Sequence, residues 1–193
     1  MNLTELAVKT VYWFFLYGFI GWGVEVVYAA IKTHKLVNRG FLCGPICPIY
    51  GFGMVGLIYS VSLIPMPDSG SMSAVAIFFI GMILTTAIEL VGGWALFKIY
   101  HIRWWDYSNC KYQINGRICL TNCIFFGLGC VLLCHVVNPP VLRWLMGIGP
   151  EYTVPVASFI FGLYIMDNVL SIRSAFQLSH RLDKLAKLQQ EIR

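Results

Sequence analysis

Two carboxylates stand inside long apolar runs, where desolvation makes a charge most costly: Glu25 and Glu89. Ionisable groups at membrane depth face a cavity or a partner rather than lipid. Gly18, Gly21, Trp22, Glu25 and Tyr28 share one helical face by steps of three and four, as do Gly81, Thr85, Glu89 and Gly92. Glycine on such a face lets a second helix approach closely. At 1.5 Å per residue, Glu25 lies about 9 Å and Glu89 about 15 Å from the basic ends of their runs. Acids so placed can hold a solute, exchange a proton or fix the packing of their helices. Arg39 is a candidate partner for either.

Two polar stretches carry further chemistry. Asn38-Arg39-Gly40-Phe41-Leu42-Cys43-Gly44-Pro45-Ile46-Cys47-Pro48-Ile49-Tyr50-Gly51 runs from basic residues into an apolar segment broken by glycine and proline. Pro45 and Pro48 each remove a backbone donor, so an ordinary helix should not start there. Irregular backbone at membrane depth must be buried in protein or line a cavity. The second stretch is Trp104-Trp105-Asp106-Tyr107-Ser108, followed by Asn115-Gly116-Arg117. Its tryptophans suit a membrane interface, and Asn-Gly suggests a turn back into the next apolar run.

Other residues offer less. Cys119, Cys123, Cys130 and Cys134 fall near one face with His135 adjacent, but span about 22 Å of helix, too far for one tetrahedral metal site. Cysteine as a small apolar residue is the better reading for all seven, Cys43 and Cys47 included. His34, His101, His135 and His180 lack ligand spacing, so no metal or cofactor is expected. There is no Gly-x-x-x-x-Gly-Lys-Ser/Thr loop, no His-Glu-x-x-His and no Gly-x-Ser-x-Gly. Asp167 and Asn168 either join the pocket or begin the interface, the second being the slightly better reading.

The elements that must position these groups follow from composition. Of 193 residues 58% are hydrophobic and only 12% charged, against about 25% charged in a soluble domain. Mean hydropathy is +0.71. The formal charge of +5 sits between apolar runs, which indicates membrane topology rather than nucleic-acid binding. Five runs reach the length of about 20 residues that a span needs: 8–31, 41–64, 73–100, 118–137 and 152–172. Pro65 to Gly70 and Asn138-Pro139-Pro140 read as turns. The first run is too long for a cleaved signal and is expected to stay as an anchor. Lys32, Lys35 and Arg39 mark the first loop, and Lys98, Arg103, Lys111 and Arg117 the third. Arg173, Arg181, Lys184, Lys187 and Arg193 mark the tail, whereas the second and fourth loops are poor in cations. This alternation puts the N-terminus outside and both basic loops and the C-terminus in the cytoplasm. The expected fold is an all-α polytopic transmembrane bundle over residues 1–172, its second span starting broken or re-entrant. Residues 173–193, with Leu178, Leu182, Leu185 and Ile192 at near-helical spacing, form an amphipathic cytoplasmic tail.

Together these motifs resemble the bacterial CmpB-like membrane proteins, described as ABC-transporter type IV permeases. The resemblance rests on Gly21-Trp22 with Glu25 and Tyr28, Asn38 to Leu42 with Gly44-Pro45, and Pro48-Ile49-Tyr50-Gly51. It continues through Glu89 and Trp94, Trp105 to Ser108, and Asn115-Gly116-Arg117-Ile118-Cys119-Leu120, so it covers roughly the first 135 residues. It implies a permease component in the bacterial cytoplasmic membrane. Its ATPase would be a separate subunit, and two copies or a second membrane subunit would complete the path. On this reading Glu25, Arg39, Glu89, Asp106 and Arg117 supply charge to a cytoplasmic-side solute pocket. Trp22, Tyr28, Trp105 and Tyr107 wall it, and Asn38 and Asn115 shape its loops. Two alternatives stay open: an enzyme acting on a lipid head group, and an accessory or immunity-type protein that binds another membrane protein.

Overall fold

Helix is what an apolar chain without water must form, because lipid offers no partner to a free N–H or C=O. The computed structural model describes residues 3–38, 40–63 and 70–191. Its helices are α1 (Leu3–Thr33), α2 (Pro48–Leu63), α3 (Gly70–Tyr100), α4 (Leu120–Leu132), α5 (Asn138–Met146) and α6 (Pro150–Glu191). A hairpin of two short strands, β1 (Gln113–Ile114) and β2 (Ile118–Cys119), precedes α4. The molecule is an all-α membrane bundle. Four helical stretches are long and apolar enough to cross a bilayer: Leu3–Thr33, Ser73–Tyr100, Leu120–Met146 and Glu151–Leu182.

The second expected span is shorter than its apolar run. Helix α2 begins at Pro48 and has 16 residues, about 24 Å, less than the roughly 30 Å of a hydrocarbon core. The preceding backbone makes up the depth without being helical. Cys47 N–H reaches the carbonyl of Gly18, 2.9 Å away in the middle of α1. The chain that leaves α1 at Thr33 thus comes back down beside it as an irregular, protein-bound segment.

The fourth span differs from expectation in the other direction. Asn138-Pro139-Pro140 is no turn: helix continues through it, from Leu120 to Met146. A π-helical turn at Leu133–Val137 makes this possible. It widens the helix where two prolines without N–H would otherwise clash with carbonyls four residues back. The N–H of Asn138 bonds to Leu133 O across the wider turn, and its side chain accepts the Tyr17 hydroxyl at 3.1 Å. The other expected turn, Pro65 to Gly70, lies almost wholly outside the described residues. Helix α6 runs 42 residues, about 63 Å. It therefore continues as helix past residue 172.

The buried centre joins α1 to α4 through Trp13, Tyr17, Met54, Leu57, Ile77 and Cys130. Small residues set the spacing. A Cβ on Gly51 would lie 2.6 Å from Phe14 O, and one on Gly81 2.6 Å from Cys130 Cβ. Helix α6 stands apart from this centre, lying against α1 and more lightly against α3.

Candidate functional site

Both intramembrane acids are held by tyrosine hydroxyls. Tyr50 donates to Glu25 Oε1 at 2.7 Å, and Tyr107 donates to Glu89 Oε1 at 2.8 Å. The first pair is made possible by Gly21, since a Cβ there would stand 2.2 Å from Tyr50 Cγ. The ring of Tyr50 therefore occupies the space that a side chain on α1 would fill. It also meets Phe126 of α4 edge-on, with centroids 6.4 Å apart. The second pair ties α3 to the loop after it. Tyr107 is bonded in turn to Asn122 of α4, and Glu25 lies within electrostatic range of both Tyr107 and Glu89. Burial, then the neighbouring Glu89 carboxylate, raises the Tyr107 phenol well above its ordinary range, so it remains a donor. Glu89 is only 5% exposed, and its Oε2 has no hydrogen-bond partner among the described residues.

The loop that supplies Tyr107 is built by short-range bonds. Asn115 and Gly116 both adopt positive φ, +52° and +68°, which an Asn-Gly pair tolerates in a tight turn. Gly116 is further required by space, because a Cβ would lie 2.7 Å from Asp106 Oδ1. Its carbonyl accepts Tyr107 N–H at 2.8 Å, which fixes the tyrosine toward α3. Trp105 donates to Arg117 O at 2.9 Å and lies flush on Gly93 of α3. Asp106 faces outward. The Ser108 hydroxyl and N–H, and secondarily Arg103 at 3.5 Å, hold its carboxyl below the usual carboxylate range.

The other polar stretch is ordered by Asn38 and by α6. Trp22 donates to Asn38 Oδ1 at 3.0 Å, and Asn38 Nδ2 donates to the carbonyls of Leu42 and Cys43, both at 3.1 Å. Asp167 then clasps the segment from the opposite side. It accepts Cys43 N–H at 3.1 Å and Gly44 N–H at 3.0 Å, while Ser171 accepts Cys43 N–H at 2.9 Å. With Ile46 N–H on Gly44 O and Cys47 N–H on Gly18 O, most donors of the irregular stretch are paired. Pro45 and Pro48 bring none that would need a partner.

Of the residues expected to form one pocket, Glu25, Glu89 and Tyr107 gather with Tyr50 and Asn122. Trp22 and Asn38 hold the irregular segment next to them. Trp105, Asn115 and the backbone of Arg117 shape the loop, and Asp106 stays in the loop's own hydrogen bonds. Tyr28 is half-exposed and pairs with Lys32; Arg39 lies outside the described residues. Tyr50, Asn122 and Asp167 were not expected in these roles. Tyr50 stands within a quoted motif, but only the Gly21 gap on another helix reveals its target. A cavity of about 570 Å³ opens elsewhere, between α1, α5 and α6. Its walls, among them Phe15, Phe19, Trp144 and Leu163, are mostly apolar, with Asp167 and the segment Gly44 to Ile46 at its edge, and it contains neither acid of the cluster.

A family model described as "Putative ABC-transporter type IV" matches residues 12–172. The chain belongs to this family. The match includes α1 with Glu25, the clasped segment, α3 with Glu89, the hairpin loop and the apolar part of α6. It also extends beyond the first 135 residues on which the sequence motifs rest, reaching Asp167 and Ser171. No curated protein and no solved structure matches the chain.

Proposed function

We propose that the protein is the membrane component of an ABC-type transporter, acting as a permease whose solute path passes the Glu25–Tyr50 and Glu89–Tyr107 pairs. The observation that carries this reading is Glu89 itself: a carboxyl group within a span, sealed from solvent, with one oxygen unpaired among the described residues. A group that only fixed packing would have both oxygens satisfied, since an unmet buried acceptor is destabilising by about 1–3 kcal/mol. Acids kept at membrane depth despite that penalty mark ion and solute paths. The family to which the chain belongs supports the transporter class.

The first loop, the third loop and the second half of α6 meet at one end of the bundle, through Phe41, Tyr100, Trp104 and Phe176. That end carries the basic loop residues, which supports a cytoplasmic placement in a bacterial membrane with the N-terminus outside. A separate ATPase subunit would dock there, supplying the hydrolysis for which this chain has no P-loop. The tail beyond residue 172 extends toward the same partner.

Glu25→Gln and Glu89→Gln keep shape and remove charge, so they test the path directly. Cells carrying either variant, at normal expression, should reproduce the metabolite profile of cells lacking the protein. Variants that restore the wild-type profile in full would overturn the proposal.

A further inference from the structure

The cavity between α1, α5 and α6 lies apart from the acid cluster and has a different chemistry. Its volume of about 570 Å³ falls within the roughly 300–1,000 Å³ of a ligand pocket. On α1 it runs from Tyr12 to Phe19 and on α6 from Ile160 to Asp167, two helical turns or about 10 Å on each. Both stretches fall inside apolar spanning helices, so the cavity sits at membrane depth. Polar ties bound it at either end. Tyr12 donates its hydroxyl to the Thr153 carbonyl at 3.2 Å, and Asp167 accepts the N–H groups of Cys43 and Gly44. Between the ties, Phe15 and Leu145 are buried in the wall, whereas Phe19, Trp144 and Leu163 are half or more exposed. Exposed side chains at this depth meet hydrocarbon rather than water, so the rim opens sideways to the bilayer.

The walls decide what can enter. Water inside a cavity needs two to four polar partners. The polar atoms of Tyr12 and Asp167 are engaged in the ties, and the Tyr164 hydroxyl is bonded to the Asn168 side chain. A second helix is a poor fit as well. Helices that pack together in lipid present small residues, and three large side chains form this rim. We propose that the cavity binds one acyl chain of a membrane phospholipid, which enters sideways past the exposed rim. The chain lies along Phe15 and Leu145 and fills the space between α6 and the rest of the bundle. This site stands whether or not the Glu25 and Glu89 pairs line a solute path.

The test is native mass spectrometry of the full-length protein, stripped of lipid in detergent and titrated with palmitoyl-oleoyl phosphatidylcholine. Dihexanoyl phosphatidylcholine keeps the head group and shortens the chains. The expected result is saturable binding of one long-chain lipid per protein, with the short-chain lipid at least tenfold weaker. Ile160→Trp and Leu163→Trp fill the cavity and should each weaken binding at least tenfold. Phe125→Trp, at an exposed position of α4 outside the cavity, should leave it unchanged. Binding that never saturates at one lipid, equal affinity for the short-chain lipid, or equal binding by wild type and the filled variants would each overturn the proposal. A dimer that Leu163→Trp dissociates, with lipid binding unchanged, would assign the cavity to a second copy and overturn it too. The chain-length comparison is made on wild type, so it decides the matter even if a filled variant does not fold.

Discussion

Gly21 and Tyr50 show how much of the site depends on one missing Cβ. In Gly21→Ala the new methyl group would overlap the Tyr50 ring, at 2.2 Å from Cγ, and the ring would leave Glu25. The expected destabilisation is about 1–3 kcal/mol, read as a lower melting temperature in detergent. Gly23→Ala, with nothing within 4 Å of the new Cβ, should leave stability unchanged or slightly raised. Asp106 gives a pH test at the same scale. Its carboxyl is depressed in the folded loop by Ser108 and Arg103. Its contribution is therefore complete above the unfolded carboxylate range and disappears as pH falls through the folded value. Amide exchange over residues 107–117 should quicken as pH falls through that window, after correction for intrinsic rates. In Asp106→Asn that excess pH dependence should be absent. The two acids were legible from sequence because few physical reasons place a carboxylate inside an apolar run. Their tyrosine partners were not legible as partners, since the Glu25–Tyr50 bond depends on the register of two helices.

At the scale of elements, the segment 40–47 is held by others more than by itself. Its Gly-Pro punctuation foretold a broken second span, and the helix indeed begins only at Pro48. What the sequence could not show was the clasp, because Asp167 lies more than 120 positions away. Asp167→Ala would leave the N–H of Gly44 without the acceptor it has here, and that of Cys43 with Ser171 alone. The expected loss is about 1–3 kcal/mol, together with faster alkylation of Cys47, which is half-buried in the folded protein. Unchanged Cys47 reactivity would show that the segment is held without the clasp. Asn138-Pro139-Pro140 teaches the opposite lesson. A pair of prolines reads locally as a stop, yet a π turn just before it absorbs the missing donors and carries the helix on.

For the whole molecule, four long apolar helices and the family match establish a membrane protein of the ABC-transporter type IV family. Composition alone announced the membrane. The sidedness proposed from the basic loops can be checked on the exposed Lys111. In a background with Cys43 and Cys110 replaced by serine, Lys111→Cys should react with a membrane-impermeant maleimide in inverted vesicles and not in intact cells. Labelling in intact cells would reverse the orientation. The proposed function depends on a partner that no residue of this chain can replace. Native mass spectrometry of the tagged protein, gently extracted from its own membrane, tests that dependence most directly. A nucleotide-binding subunit at fixed stoichiometry is the expected result. A homo-oligomer or monomer that never carries an ATPase would contradict the permease role and return the Glu25 and Glu89 cluster to a non-transport function.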